Sequence, residues 1–553
     1  MALTRRELLR RASAWSLAAH WPLFTACGSS EPGSDGTQDS GSGDGTTAAD
    51  SSGSSTGDDG LPDYAYDGEP GPEDLFQHGV ASGDPLLDAV ILWSRVTGAP
   101  EGPVEAFYEV ATDPEFAHRV AAAYVETGPE RDYTIKLDID GLAAGTTYYY
   151  RFYALGRTSP IGRTRTAGEG DVTRLRIGVV SCSSLAHGYF HAYRRVAERA
   201  DLDLVVHLGD YIYEYGSGEY GDIRPYEPDH EAVTLDDYRQ RYAQYRRDAD
   251  LQECHRQHPM VAVWDDHELA DNAYDGGAEN HTEGTEGTFA DRKSAAAQAY
   301  AEWLPYREGA AGIVYRALGF GDLLQLVLLD TRIVGRDAQA EGIDDPSLDD
   351  PARQLLGETQ EMWLDGVLDE AVTWRVLGQQ VMVAQLRLGE APLNLDQWDG
   401  YPAARTRLFD IIRERSPDNL VVLTGDIHSS WAFELADDPF GADYDPATAA
   451  GAIAVEFVAP SVTSPGFPAN SAAQFMQTHP HLKWGNLVEH GYMLLDVTPE
   501  RLQCSWWLVG DVTSTTGGAE SLAAAWSVAS GSHQLVQDGG AAPPRDDAPA
   551  PAP

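Results

Sequence analysis

The chain has 553 residues, 42% of them hydrophobic and 23% charged, which is enough apolar material for more than one folded core. Its 39 Lys and Arg stand against 87 Asp and Glu, a formal charge of −48. That balance excludes a nucleic-acid binder resting on a basic footprint, and also a protein held loosely on anionic lipid. Four cysteines exclude a disulfide-built scaffold. On so acidic a chain, an anionic substrate needs a local positive centre such as metal ions.

Residues 1–27 read as an export signal of the twin-arginine and lipoprotein type. Arg5 and Arg6 precede the hydrophobic pair Leu8-Leu9, and the apolar stretch 12–24 is shorter than the roughly 20 residues a bilayer span takes. Phe24-Thr25-Ala26-Cys27 resembles a lipobox, so a lipid on Cys27 is the expected membrane contact, with no other. The expected location is periplasmic or cell-surface. The twin-arginine route carries folded proteins, which suits a chain that acquires a metal before export.

Residues 28–70 are rich in Ser, Gly and Asp and are expected to form a disordered tether. Residues 71–168 show short alternating apolar runs such as Ala89-Val90-Ile91-Leu92-Trp93 and Tyr148-Tyr149-Tyr150-Arg151-Phe152, separated by turn signals. They predict a small all-β domain of immunoglobulin or fibronectin type. From 172 to 532 apolar strands alternate with helical stripes, for example Tyr189, Ala192, Tyr193, Val196 and Ala197. The expected class is α/β: a layered domain with sheets buried under helices. Residues 533–553, rich in Gly, Ala and Pro, are expected to be a disordered tail. A monomer is expected, and Cys254 and Cys504 are candidates for a disulfide.

Ligands in α/β domains gather at the carboxyl ends of strands, so the residues just beyond each strand matter most. The runs end in Ser181-Cys182-Ser183-Ser184, in Gly209-Asp210-Tyr211-Ile212-Tyr213-Glu214, in Asp265-Asp266-His267-Glu268, and in Gly425-Asp426-Ile427-His428. Carboxylates brought together in one crevice repel one another unless a cation sits among them.

These endings carry a resemblance. Gly209-Asp210-x-x-Tyr213 is similar to the metal motif of purple acid phosphatases. Asp266-His267-Glu268 and Gly425-Asp426-x-His428 look like the Gly-Asn-His-Glu/Asp and Gly-His-x-His motifs of calcineurin-like metallophosphatases, with Asp at the first Asn and His positions. With Cys182, and with Phe76 to Pro85, Asp330-Thr331-Arg332 and Pro460 to Ser464, the set resembles PhoD-type alkaline phosphatases. The resemblance implies a layered β-sandwich metallophosphatase domain flanked by helices, and a mixed centre of ferric iron and calcium. Asp210 would bridge the ions, and Cys182 and Tyr213 would hold Fe3+. Asp266, Asp426 and His428 would complete the ligands, carboxylate oxygens being what Ca2+ prefers, with Asn272 as an extra oxygen ligand. His267 would contact phosphate or act as general acid, or else orient a ligand. Arg332 and Arg336 would grip phosphate, or else form ion pairs.

The expected activity is hydrolysis of small phosphate esters, monoesters and also diesters, by a hydroxide that the cations generate. Two other readings stand beside it. One is a phospholipase- or nuclease-like phosphodiesterase on the same residues, and the other a surface-binding protein whose metals are structural. The polar segments Gly276-Gly277 and 280–287 are expected to border the pocket entrance.

Overall fold

A computed structural model describes residues 59–98, 101–309, 312–416, 418–468 and 471–553. The expected export signal, the anchor residue Cys27 and the tether up to residue 58 lie outside the described residues. No helix among the described residues is long and apolar enough to cross a membrane.

Two large sheets carry the fold. One has ten strands, and at its centre Leu175–Val180, Leu204–His207 and Pro259–Ala262 run parallel. Each of these three is buried along its whole length, and so reads as an unbroken apolar run rather than an alternating one. The second sheet has seven strands, including Leu324–Leu328, Trp374–Gly378, Leu420–Thr424 and Ala452–Val458, again parallel to one another. Its two faces separate by the period of two. Leu324, Leu326 and Leu328 join the core shared with the first sheet, whereas Val327 and Leu329 join a second core. The helices Gly357–Val367 and Pro402–Arg415 cover that second core through Leu364, Leu408 and Ile412. On the first sheet the cover is Leu235–Tyr245, started by a Thr234–Asp237 capping box, and Ala249–Gln257, started by Asp248.

The regular elements of residues 71–168 are strands apart from one 3-10 turn, and they pack around a core of their own that includes Val80, Leu92, Val104, Ile135, Tyr150 and Phe152, while also joining the large sheet. Val80–Gly83, Val90–Arg95 and Thr134–Ile139 extend the ten-stranded sheet, Val80–Gly83 pairing parallel with Pro259–Ala262. The remaining strands form a five-stranded sheet of their own. Gly83 permits this junction: a Cβ there would lie 2.0 Å from the carbonyl oxygen of Pro305. The next residue, Asp84, is fully buried and accepts both forks of Arg316 at 2.6 and 2.7 Å.

Two expectations of disorder are corrected. Residues 59–70 lie against the small sheet, where Tyr64 stacks on Tyr153 with ring centroids 4.8 Å apart. Residues 535–537 form an edge strand, and the chain beyond them is docked. Tyr149 and Arg163 donate to the carbonyls of Ala550 and Pro549, Arg256 to that of Pro553, and Ala552 is buried. A Pro- and Ala-rich segment has few N–H groups to satisfy, so arginines that cap its carbonyls are enough to hold it. The thiols of Cys254 and Cys504 are both free and buried, and Cys504 lies against the Met493 sulfur at 3.5 Å, which corrects the disulfide pairing.

Candidate metal centre

The parallel strands of both sheets end at the same side of the sandwich, and the loops after them are stitched together. Cys182 N–H donates to Gly209, Ser183 N–H to the Asp210 carbonyl, Gly425 N–H to Gln380, and Val462 N–H to Ser181. Gly209 allows the closest approach: its φ is +100°, and a Cβ would lie 2.4 Å from that of Asp265. The chain bends sharply at each ending. Cys182, Asp210, Asn272, Asp426 and His428 all have φ between +53° and +60°. Non-glycine residues seldom occupy that left-handed region, and the Cys182 side chain there lacks the local hydrogen bonding that eases Asn and Asp into it. The surrounding packing holds these bends, as it does at sites where strain serves function.

The turns aim their side chains at one point. Ligand atoms of Cys182, Asp210 and His428 lie within 4.8 Å of one another, and so do those of Asp210, Asp266 and His267 and those of Asp265, Asp266 and Asp426. Asp210 and Asp266 are the shared members. The Tyr213 hydroxyl joins the first group, 2.8 Å from Asp210 Oδ2 and 3.2 Å from His428 Nε2. Ser464 donates to the same phenol oxygen at 2.6 Å. His428 Nδ1 faces the Pro465 carbonyl at 3.0 Å, which places the ring proton there and leaves Nε2 as an electron pair for a metal. Asn272 adjoins the cluster through its N–H, which donates to Asp266 Oδ2.

His267 sits under the Tyr213 ring, with centroids 4.3 Å apart, and its Nδ1 is 2.7 Å from Glu214 Oε2. Burial alone would depress its pKa, but the charges of Glu214, Asp266 and Asp210 outweigh burial and hold the imidazole well above its ordinary 6.5. Glu214 is itself lowered: burial pushes it up, and the opposing His267 charge prevails. The crowding shows in the other carboxyls. Burial, the neighbouring acids Asp266 and Asp210 adding to it, lifts Asp265 well above the carboxylate range. Glu268 is pushed up to about 8, mainly by burial and by Asp210, although it accepts the backbone N–H groups of Asp210, Tyr211 and Asp265.

Arg332 is reached from the second sheet and is fully buried, but it does not reach for substrate. Its Nη1 bonds Asp396 at 2.7 Å and its Nη2 bonds Asp426 at 2.8 Å, while Nε bonds Asp265 and Asp266 stands 3.4 Å away. Arg336 is likewise committed to Asp396, to the Thr331 carbonyl and to Tyr401. Of the two roles expected for these arginines, the structure shows the ion pairs: four acidic neighbours in a dry site draw the guanidiniums inward as counter-charges. Sequence reasoning missed Asp396 and Gln397, whose amide donates to Asp426 at 3.2 Å. They lie on a loop that succeeds no strand of the sandwich, and their one signal is a dense Asp-Gln-Trp-Asp polar run.

The donor set fits metal ions. A thiol, a phenol, an imidazole and carboxylates converge in a place where no ligand candidate except Asn272 exceeds 2% exposure. Two buried oxygens, Asp265 Oδ2 and Asn272 Oδ1, have no hydrogen-bond partner. A cavity of about 410 Å³ opens beside the cluster, lined by Asn272, Glu279, Gln339, Asn394 and Asp396. Ala278 and Glu279 line it, whereas Gly276-Gly277 and residues 280–287, expected to border the entrance, do not; Asn280 donates to Glu214 instead.

Known proteins share this arrangement of sequence and fold. The family described as PhoD-like phosphatase matches residues 177–506, and its N-terminal domain matches residues 64–168. Alkaline phosphatase D of Bacillus subtilis (strain 168) is 38% identical over 467 residues, covering 79% of this chain and 78% of that protein. A solved structure of PhoD superposes with a TM-score of 0.79 at 35% identity, covering 86% of this chain and 94% of the other. With its strand-end thiol, phenol, imidazole and carboxylates gathered at one point, the chain belongs to the PhoD-like phosphatase family and is a phosphoric-ester hydrolase of the alkaline phosphatase type.

Proposed function

We propose that the protein is an exported, metal-dependent hydrolase of small phosphate esters, active on monoesters and on diesters. The observation that carries this reading is the convergence of Cys182, Asp210, Tyr213, Asp266, Asp426 and His428 on one buried point. Cys182, Tyr213 and His428 would hold ferric iron, and the carboxylates of Asp266 and Asp426, with Asn272, would hold calcium. Asp210, shared between ligand groups, would serve both sets. When bound, such ions supply Lewis acidity and an acidified water.

The chain's own residues do the rest. Glu214 holds Nδ1 of His267 and keeps the imidazole protonated, so Nε2 carries the proton given to the leaving alkoxide. Tyr213 and Tyr220 fix the ring plane from one side. Arg332 is a positioning residue: it sets the carboxylates of Asp426 and Asp396 and limits their mutual repulsion. The adjoining cavity gives room for the second substituent of a diester.

We read the two large sheets as the metallophosphatase sandwich and the small sheet as the immunoglobulin-like part of the N-terminal region. Export by the twin-arginine route, a lipid on Cys27, a periplasmic or cell-surface location and a monomeric state complete the proposal. Replacing Asp210 with Ala should abolish hydrolysis of both p-nitrophenyl phosphate and bis(p-nitrophenyl) phosphate. Retained turnover of either would overturn the proposed centre, and turnover of the diester alone by the unaltered protein would restrict the activity to phosphodiesters.

A further inference from the structure

The cavity of about 410 Å³ meets the metal centre at two of its walls. Asn272 lines it and donates its N–H to Asp266 Oδ2 at 2.7 Å. Asp396 lines it from the other side and bonds Arg332, which also holds Asp426. The volume falls within the roughly 300–1,000 Å³ of ligand pockets.

The charge of these walls is one-sided. Glu279, Glu341 and Asp396 line the cavity, and no Lys, Arg or His is among its lining residues. Arg332 and Arg336 balance Asp396. Glu279 and Glu341 are exposed and have no cationic partner among the described residues, although the Asn272 amide fixes Glu279 by donating to Oε2 at 2.6 Å. Gln339 adds a further acceptor: its Nε2 is committed to the Asn272 carbonyl and to Asp396 Oδ1, which leaves Oε1 for the cavity. One donor stands among these acceptors. Asn394 is only 5% exposed and accepts the Asp396 N–H at Oδ1, while no protein acceptor takes its Nδ2.

We propose that this cavity selects the retained group of a phosphate diester by charge, a role that rests on the diester hydrolysis proposed for the metal centre. It takes an alcohol bearing a primary ammonium and rejects one bearing a second anion, with Glu279 and Glu341 as the specificity-determining residues. Carboxylates accept charged N–H groups strongly, and two of them without counter-charges repel an anion that must enter beside them. Tyr274 is the single ring among the lining residues, whereas a quaternary ammonium calls for a cage of rings. The Asn394 amide is placed to donate to an oxygen of the same alcohol. Metal cations would thus draw in the phosphoryl group, and the acidic wall would choose what is attached to it.

Three diesters with one leaving group test this on the full-length, metal-loaded protein: 2-aminoethyl, ethyl and 2-carboxyethyl p-nitrophenyl phosphate. Their kcat/KM should fall in that order, by about tenfold at each step, as a charge a few ångströms from partly solvated carboxylates gains or loses. Glu341→Gln, which touches none of the proposed metal ligands, and Glu279→Gln should each shrink the aminoethyl-to-carboxyethyl ratio several-fold, chiefly through KM. Added salt should shrink it in the unaltered protein as well. Equal kcat/KM for the three esters, or a ratio that both variants keep, would overturn the charge selection and leave the hydrolysis standing. Turnover of none of them would overturn the diesterase reading and the inference with it.

Discussion

Two buried charge clusters in this molecule differ in how they close. At the junction of the N-terminal strands and the second sheet, Asp84 meets Arg316 in a two-pronged pair, with the Arg307 amide donating to the same carboxylate. Charge there is balanced and the hydrogen bonds are complete. At the strand ends, Asp210, Asp265, Asp266, Asp396 and Asp426 outnumber Arg332 and Arg336, and buried oxygens remain without partners. A closed pair stabilises a junction, whereas an open, surplus-negative cluster is a place prepared for cations.

Substitutions in the two clusters should separate them clearly. Beyond the ligands themselves, the largest effect is expected at His267. His267→Asn should slow hydrolysis of an alkyl phosphate by about 100- to 10,000-fold, the usual worth of a general acid. The same variant should lose much less on p-nitrophenyl phosphate, whose leaving group departs without a proton. Equal losses on both esters would instead make His267 an orienting residue. Next comes Arg332→Met, expected to weaken metal retention by about 10- to 100-fold, as changes behind a ligand usually do. Metal titration of the variant checks it. Arg316→Met, at the closed pair, should leave kcat unchanged and lower unfolding stability by about 3 kcal/mol, because Asp84 stays buried and unpaired. Urea unfolding beside an activity assay separates the two arginines.

The smallest effect compares histidines. Burial encloses all three, but at His267 the charges of Glu214, Asp266 and Asp210 outweigh it and hold the pKa above its ordinary value, whereas at His258 and His481 burial prevails. Burial, with Arg163 beside His258 and His479 beside His481, depresses both of these to about 3. Below the ordinary value of 6.5 the unfolded chain binds protons that these two folded imidazoles refuse. Their stabilisation is therefore complete above 6.5 and fades as the pH falls towards 3. Denaturant midpoints should decline across that window, and a flat profile would contradict the assignment.

Much of the site could be read from the sequence, because an apolar strand that stops abruptly at an acid, thiol or imidazole marks a strand end facing a crevice. Cys182, Asp210, Asp266, Asp426 and His428 all come after such runs. Asp396 and Gln397 did not show, since their loop has no periodicity and reaches the cluster only through tertiary folding. Arg332 was legible as a site residue but not in its direction, which depends on the acids that surround it in space. The docked tail is not legible, because composition registers a shortage of apolar residues and cannot register arginines poised to cap carbonyls. The parallel pairing of Val80–Gly83 with Pro259–Ala262 joins segments far apart in the chain, which local patterns do not encode.

Elemental analysis of the purified protein, run beside its Asp210→Ala variant, bears most directly on the open cluster. Iron and calcium bound to the unaltered protein, and lost together with hydrolysis in the variant, are the predicted result. Full hydrolysis by protein stripped of metal, or a variant that keeps both ions, would contradict it.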